Sequence, residues 1–213
     1  MKFGIHKFMV TTSVLFFLFS FIQFTAAQEI GIGIVSPNLI PKTTLYFYNK
    51  PDFRTVQQEN IPIDSLTFFE SEFYIDIKTA PPWFVPEYAK LDYNILALRA
   101  VTLTKNWIEV IVNNQNQQTA WVKREDVQFN FWEDFLLNVF SVEVLDLKKN
   151  PVRIKPLNNA STNVKFQSTI LIPIAIQDEW MMVFSGDPLD KNIMGWIKWR
   201  DKDRLLISYS MLN

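Results

Sequence analysis

A tryptophan-centred plan occurs twice in this chain, and it restricts the fold more than any other feature. "KNWIEVIVNNQNQQTAWVKREDV" (residues 105–127) and "DEWMMVFSGDPLDKNIMGWIKWRD" (residues 178–201) both run tryptophan, short apolar strand, polar break, second tryptophan. Trp107 matches Trp180, Val110 matches Val183, and "AWVK" (120–123) matches "GWIK" (195–198). Before each first tryptophan, Val101, Thr102 and Leu103 align with Ile174, Ala175 and Ile176, alternating as half-buried strands do. Further upstream, "FYNKPDFR" (47–54) and "VRIKPLNN" (152–159) both close a short strand at Lys-Pro. Proline cannot donate to a ladder, so it marks a strand end or turn. Self-similarity of this kind is one supersecondary block used twice. Short strands at close, turn-separated intervals predict small β-barrels.

The order of these motifs resembles that of bacterial SH3-like (SH3b) domains, in which an early strand and an R-x-x-P-like turn precede an alternating strand, W-x-x-V, and then G-W followed by an apolar residue. The second copy carries the resemblance best, in "NPVRIKPLNNASTNV", "ILIPIAIQDEWMMV" and "MGWIKW". The first has Ala120 where the family commonly has glycine. The resemblance implies an all-β fold: two tandem small SH3-like β-barrels, at residues 28–129 and 142–213. Between them, "NFWEDFLLNVFSV" places Trp132, Phe135, Leu136, Val139 and Phe140 at helical spacing. Asn130 with Glu133 three residues on resembles a capping box. A short amphipathic linker helix is therefore expected within residues 130–141.

The copies differ in length. Pro51 to Trp107 spans 56 residues and Pro156 to Trp180 spans 24, so the first carries an insertion. It includes "TAPPWFVPEYAKLDY" (79–93), whose prolines exclude a helix. An ordered loop is expected there. In SH3-like barrels the corresponding loop helps to wall the ligand groove, which makes Trp83, Phe84, Tyr88 and Tyr93 candidate contact residues. The alternative is that these rings cover the first barrel's open side. Trp199 sits at odd spacing from Trp196, beside "RDKDR", and joins the candidates; its alternative is a ring capping the barrel end. Strand parity sets Trp107 with Trp121, and Trp180 with Trp196, on the less buried faces. Such pairs are either aromatic platforms or rings covered by a loop or a neighbouring domain.

The N-terminus has a positive region (Lys2, His6, Lys7), an apolar stretch "VLFFLFSFI" (14–22) and "TAA" (25–27). These are the parts of a secretory signal peptide over residues 1–27, with cleavage expected after Ala27; the alternative is an uncleaved anchor, since apolar character runs from Phe8 to Phe24. The expected location is periplasmic or secreted, with the membrane met only transiently. Lys2 and Lys7 leave with that segment, which takes the formal net charge from −1 to −3. No basic block of the kind that binds nucleic acid is present. The only histidine is His6 and the chain has no cysteine, so residues 28–213 contain neither. Ser-His and Cys-His nucleophile pairs and zinc sites built from those residues are thereby excluded. Carboxylate pairs remain, Glu70 with Glu72, Glu133 with Asp134 and Asp187 with Asp190, and solvated surface charge is the expected state of each. No catalytic residue, metal ligand or cofactor is expected. The function expected is non-catalytic binding of a cell-envelope ligand, a peptidoglycan peptide or glycan or a protein segment. A structural protein docking onto other envelope proteins is the alternative, and a carboxylate-only hydrolase ranks last.

Overall fold

The computed structural model describes residues 30–54, 60–163, 166, 170–185 and 193–212; the expected signal peptide, Asp187 and Asp190 lie outside them. The described chain is mostly β. In order, its elements are β1 (Gly33–Pro37), β2 (Thr44–Phe47), β3 (Asp64–Glu70), β4 (Ile75–Thr79), β5 (Tyr88–Lys90), β6 (Ile95–Leu103), β7 (Trp107–Asn113), β8 (Gln118–Lys123), β9 (Val127–Phe131), α1 (Trp132–Leu136), β10 (Ser141–Val144), β11 (Leu171–Gln177), β12 (Trp180–Ser185), β13 (Met194–Lys198), β14 (Arg200–Asp201), β15 (Arg204–Leu205) and β16 (Ile207–Ser210).

The sequence repeat is a repeat of topology. The first large sheet runs β8-β7-β6-β1-β9, with β5 added alongside β6. The second runs β13-β12-β11-β10-β16, the same path strand for strand. Tyr48 bridges Trp121 beyond β8, and Arg153 bridges Trp196 beyond β13. The register repeats too: Trp107 lies opposite Lys123, and Trp180 opposite Lys198. β6 and β7 slip between Ala100 and Thr102, while β11 and β12 slip between Pro173 and Ala175. Val101 and Ile174 therefore occupy equivalent bulges, of the kind that bend a strand and increase its twist. Among the described residues none of the sheets closes on itself, so the closed barrels expected from the motifs are seen as open, curved sheets.

The turns follow from local chemistry. In the break "NNQNQQ", the Asn113 side-chain oxygen accepts the amides of Gln115 and Asn116, and Gln117 takes a left-handed φ of 61°. Asn and Gln serve there because their side chains stand in for backbone partners. Between β11 and β12 the turn is two residues, Asp178 and Glu179, with Asp178 at φ 53°, as tight hairpins require.

Two cores result. In the first, the inner face of the large sheet (Leu96, Leu98, Val110, Val122) packs against β2 and β3 (Leu45, Phe47, Leu66, Phe68). β2, β3 and β4 form a three-stranded sheet of their own. The second core joins the inner face of the second sheet (Leu171, Met181, Val183, Ile197) to α1 and to Ile34 and Ala97. Ile34 and Ala97 alternate with Val35, Leu96 and Leu98 along β1 and β6, so they point out of the opposite face of the first sheet. The first sheet is thus buried on both faces, and its outer face closes the second core.

The linking segment differs from expectation in extent. α1 is one turn, with Trp132 and Leu136 buried, and Phe131 at its N-cap without a side-chain cap. Asn130 does not cap it, because Asn130 remains in β9, paired with Ile34 of β1. The ladder takes that residue's backbone, and the capping box does not form.

Candidate binding groove

The insertion is stitched to the first core. Its chain turns at Pro81, whose carbonyl accepts the Phe84 amide. The Trp83 ring meets Phe47 edge-on at 5.3 Å, with Phe84 5.8 Å from the same ring. The Trp83 carbonyl accepts from Asn113 Nδ2 at 2.8 Å, and Val85 exchanges backbone bonds with Val112 and Asn114. Tyr88 then packs against the second core. Trp83, Phe84 and Tyr88 are therefore half-buried covers. Tyr93, 57% exposed, is the open ring of the four, with the Lys90 ammonium 4.7 Å from its centroid.

Trp199 is not an exposed contact residue. It is fully buried, its indole nitrogen donates to the Asp178 carbonyl at 2.8 Å, and the Arg200 guanidinium lies 4.5 Å above its ring. The spacing that set it apart reflects a ring sealing the end of the second core. Trp107 and Trp121 form a small buried cluster with Tyr48, and Phe53 stacks edge-on against Trp121 at 5.3 Å. Trp180 is buried beside the Lys198 ammonium, while Trp196 stays half-exposed. Covered rings, not open platforms, are what three of these four tryptophans present.

The recess that brings separate chain segments together lies on the second repeat. It encloses about 410 Å³, between the chain following β10 (Leu145, Asp146, Lys149, Asn150), Asn158, the end of β13 (Lys198) and the β14–β15 hairpin with Leu206. A larger hollow of 710 Å³ is walled by β2, β3, β4 and the loop entering them. The smaller one is lined by three leucines and seven polar or charged residues, a more polar lining than small-molecule pockets usually have.

Its walls are rigidly held. Asn150 is buried and spends both ends of its amide on one residue: Nδ2 donates to the Lys198 carbonyl at 2.7 Å, and Oδ1 accepts the Lys198 amide at 3.0 Å. This side chain imitates a strand partner. Asp146 folds the next turn by accepting the amides of Lys148 and Lys149 at 3.1 and 3.2 Å. The Leu145 amide is tied to the Leu206 carbonyl. Hydrogen bonds from Lys149, side chain first and backbone second, hold the Asp146 carboxyl below the usual carboxylate range. It stays ionised and faces Lys149 at 3.1 Å. That pair is exposed and contributes little to stability.

The groove thus offers cations (Lys149, Lys198, Arg204), carboxylates (Asp146, Asp201) and leucines (Leu145, Leu205, Leu206). Its lining contains no hydroxyl, thiol or imidazole, so it contains no nucleophile–base pair of those types. What it can offer a ligand is ion pairs and hydrogen bonds of both signs beside three apolar side chains. Nothing local in the sequence marks these residues as a site: "RDKDR" is a run of alternating charge of the kind that pairs within a solvated turn, and "VRIKPLNN" closes a strand. Only the fold sets them opposite each other.

No family model, no curated protein and no solved structure matches this chain. Among the described residues no helix is long and apolar enough to cross a membrane.

Proposed function

We propose that this chain is an exported, non-catalytic binding protein, periplasmic or secreted, whose two SH3-like modules recognise a cell-envelope ligand. The repeated strand order and the resemblance of its motifs support the modules, and the N-terminal charge and apolar pattern supports export. The groove between Asp146 and Arg204 is the binding cleft, and its lining is the observation that carries the reading. Leucines beside cations and carboxylates suit a peptide stem or an extended protein segment better than a bare glycan, which pairs with open aromatic rings. The first module, with its tryptophans covered and its insertion folded onto its core, acts as the support on which the second is held.

The test is co-sedimentation with purified peptidoglycan, comparing the natural protein with Arg204→Glu and Leu145→Glu. Both side chains are exposed, so the variants should keep the thermal midpoint. Retention by peptidoglycan that both variants abolish supports the reading; retention indifferent to both would remove the groove from it. A second reading, a structural protein docking onto other envelope proteins, is favoured by the exposed Ile172, Ile174 and Met194 on the outer face of the second sheet. Failure to sediment, with capture of one envelope protein, would select it.

A further inference from the structure

The charges that line the groove are of two kinds. Some are already spent within the fold. Lys149 is paired with Asp146 at 3.1 Å. The Lys198 ammonium is turned toward Glu179 at 3.5 Å and toward the Trp180 ring at 5.3 Å. What remains charged in the lining is one carboxylate, Asp201, and one guanidinium, Arg204. Neither side chain has a hydrogen bond or an ion pair among the described residues.

These two are set side by side by the backbone. Asp201 and Arg204 are Cα partners across the β14–β15 hairpin, so their side chains rise from the same face of it. The turn between them is Lys202 and Asp203, with Lys202 at φ 53°, and both turn residues lie outside the groove lining. The hairpin is anchored at its base. The Leu206 amide donates to the Trp199 carbonyl at 2.9 Å, the Trp199 amide donates to the Glu179 carbonyl at 3.0 Å, and the Arg200 guanidinium lies over the buried Trp199 ring. Fixing the backbone of both residues lowers the ordering cost of binding. Beside them stands Leu145, 64% exposed, whose amide is bonded to the Leu206 carbonyl.

A ligand that answers all three residues carries an ammonium and a carboxylate next to each other, at the end of an aliphatic stem. A lone anion on Arg204 would be opposed by Asp201, and a lone cation on Asp201 by Arg204. A purely apolar end would desolvate both charges with nothing to replace their hydration. We propose that the groove receives a free α-amino-acid end, with Arg204 on its carboxylate, Asp201 on its ammonium and Leu145 along its stem. The guanidinium fork suits a carboxylate, which it grips through two parallel N–H···O bonds. The proposal rests on the groove being the binding cleft and names the chemistry that the cleft reads. Two sources carry that chemistry: a free amino acid, and a diamino-dicarboxylic residue within a peptide, whose side chain ends in an ammonium and a carboxylate on one carbon.

Titration calorimetry of the purified protein tests this with a short peptide, blocked at both termini, that holds one diaminopimelate residue with its side-chain end free. The same peptide with that end amidated, or with its amine acetylated, removes one charge at a time. The free end should bind at least about tenfold more tightly than either derivative. Arg204→Gln should erase the difference between the free and amidated ends, and Asp201→Asn the difference between the free and acetylated ends. Both side chains are exposed, so both variants should keep the thermal midpoint. Free norleucine that binds as tightly as the peptide assigns the free amino acid as the source, and binding of the peptide alone assigns the peptide residue. Derivatives that bind as well as the free end overturn the proposal, as does failure of both probes to bind. Sedimentation with peptidoglycan that still depends on Arg204 would then keep the groove as a cleft for other chemistry, whereas sedimentation indifferent to Arg204 and Leu145 removes both readings.

Discussion

The Tyr209 hydroxyl donates a 2.9 Å hydrogen bond to Glu87 Oε1, linking residues 122 positions apart in the chain. Arg99 Nη2 donates to the same oxygen at 2.9 Å. The side chains of Arg99 and Glu87 are only 7% and 10% exposed. An ion pair so deep costs desolvation, and it persists because each charge has a partner. Tyr209 belongs to the second repeat while Glu87 and Arg99 belong to the first, so this triad fixes how the halves meet. Trp132 and Phe135 of α1 stack edge-on against Tyr209 at 6.0 and 5.1 Å and complete the joint.

Tyr209→Phe keeps the ring and removes the donor. It should destabilise the protein by about 1–3 kcal/mol, the cost of leaving a buried carboxylate oxygen short of a partner. The pH dependence has a definite sign. Burial first, then the Glu87 charge and hydrogen bond, push the phenol well above the ordinary tyrosine range. An unfolded tyrosine loses its proton near about pH 10 while the folded one keeps it. This contribution is therefore fully present below about pH 10 and is lost as the pH rises beyond it. Urea unfolding at pH 8 and pH 11 should show a steeper alkaline loss for the natural protein than for Tyr209→Phe. Equal slopes would mean that the hydroxyl does not govern the joint.

Gly195 and Ala120 occupy the same register, opposite Val183 and Val110. A Cβ on Gly195 would collide with Val152 Cγ1 and lie 3.1 Å from the Arg153 carbonyl oxygen. The first repeat, by contrast, already buries the extra carbon of Ala120. Gly195→Ala should cost about 1–3 kcal/mol through overpacking. Ala120→Gly should cost about 1 kcal/mol, through backbone entropy and the lost contact. Thermal unfolding of the two variants measures both. A neutral Gly195→Ala would show that the segment around Val152 can shift away.

Trp83 separates the two roles open to the insertion. Its edge-on contact with Phe47 and its carbonyl bond to Asn113 make it part of the cover over the first core. Trp83→Ala should lower stability by about 2–4 kcal/mol, toward the lower end because the ring is only half-buried. Any loss of ligand binding should then disappear when the assay is run well below the variant's melting temperature. Weaker binding at an unchanged melting temperature would restore Trp83 as a contact residue.

The repeat was legible because its signals are local. Trp107 and Trp180, Val110 and Val183, and the "AWVK" and "GWIK" runs each lie within one hairpin, and a hairpin's register follows from its own residues. What stayed hidden depends on distant parts of the chain. The capping box at Asn130 failed because β1, nearly a hundred residues away, takes Asn130 into its ladder. Trp199 looked exposed from its charged neighbours, but Asp178 and the second core enclose it. The β3–β4 hairpin within the insertion alternates only weakly, with Phe68 and Phe69 adjacent and a register shift after Thr67. The groove could not be read at all, since its walls come from segments on either side of β11 to β13.

Asp126 provides a test on which the expected change is a gain. It precedes β9, and burial pushes its carboxyl above the ordinary range; Lys123 opposes that shift and Glu125 adds to it. The same carboxylate raises the Tyr48 phenol, whose own burial is the larger cause. A carboxyl whose folded pKa exceeds its unfolded value costs stability once the unfolded form ionises, above about pH 4. Asp126→Asn should therefore stabilise the protein at pH 7. Because the group is only partly buried and solvent screens it, the gain should be below about 1 kcal/mol. The difference should vanish as the pH falls below about 3, where the natural side chain is neutral in both states. Urea unfolding at pH 7 and pH 3 measures this directly. A gain that persisted at pH 3 would assign the effect to packing or hydrogen bonding of the amide, and not to the carboxylate's charge.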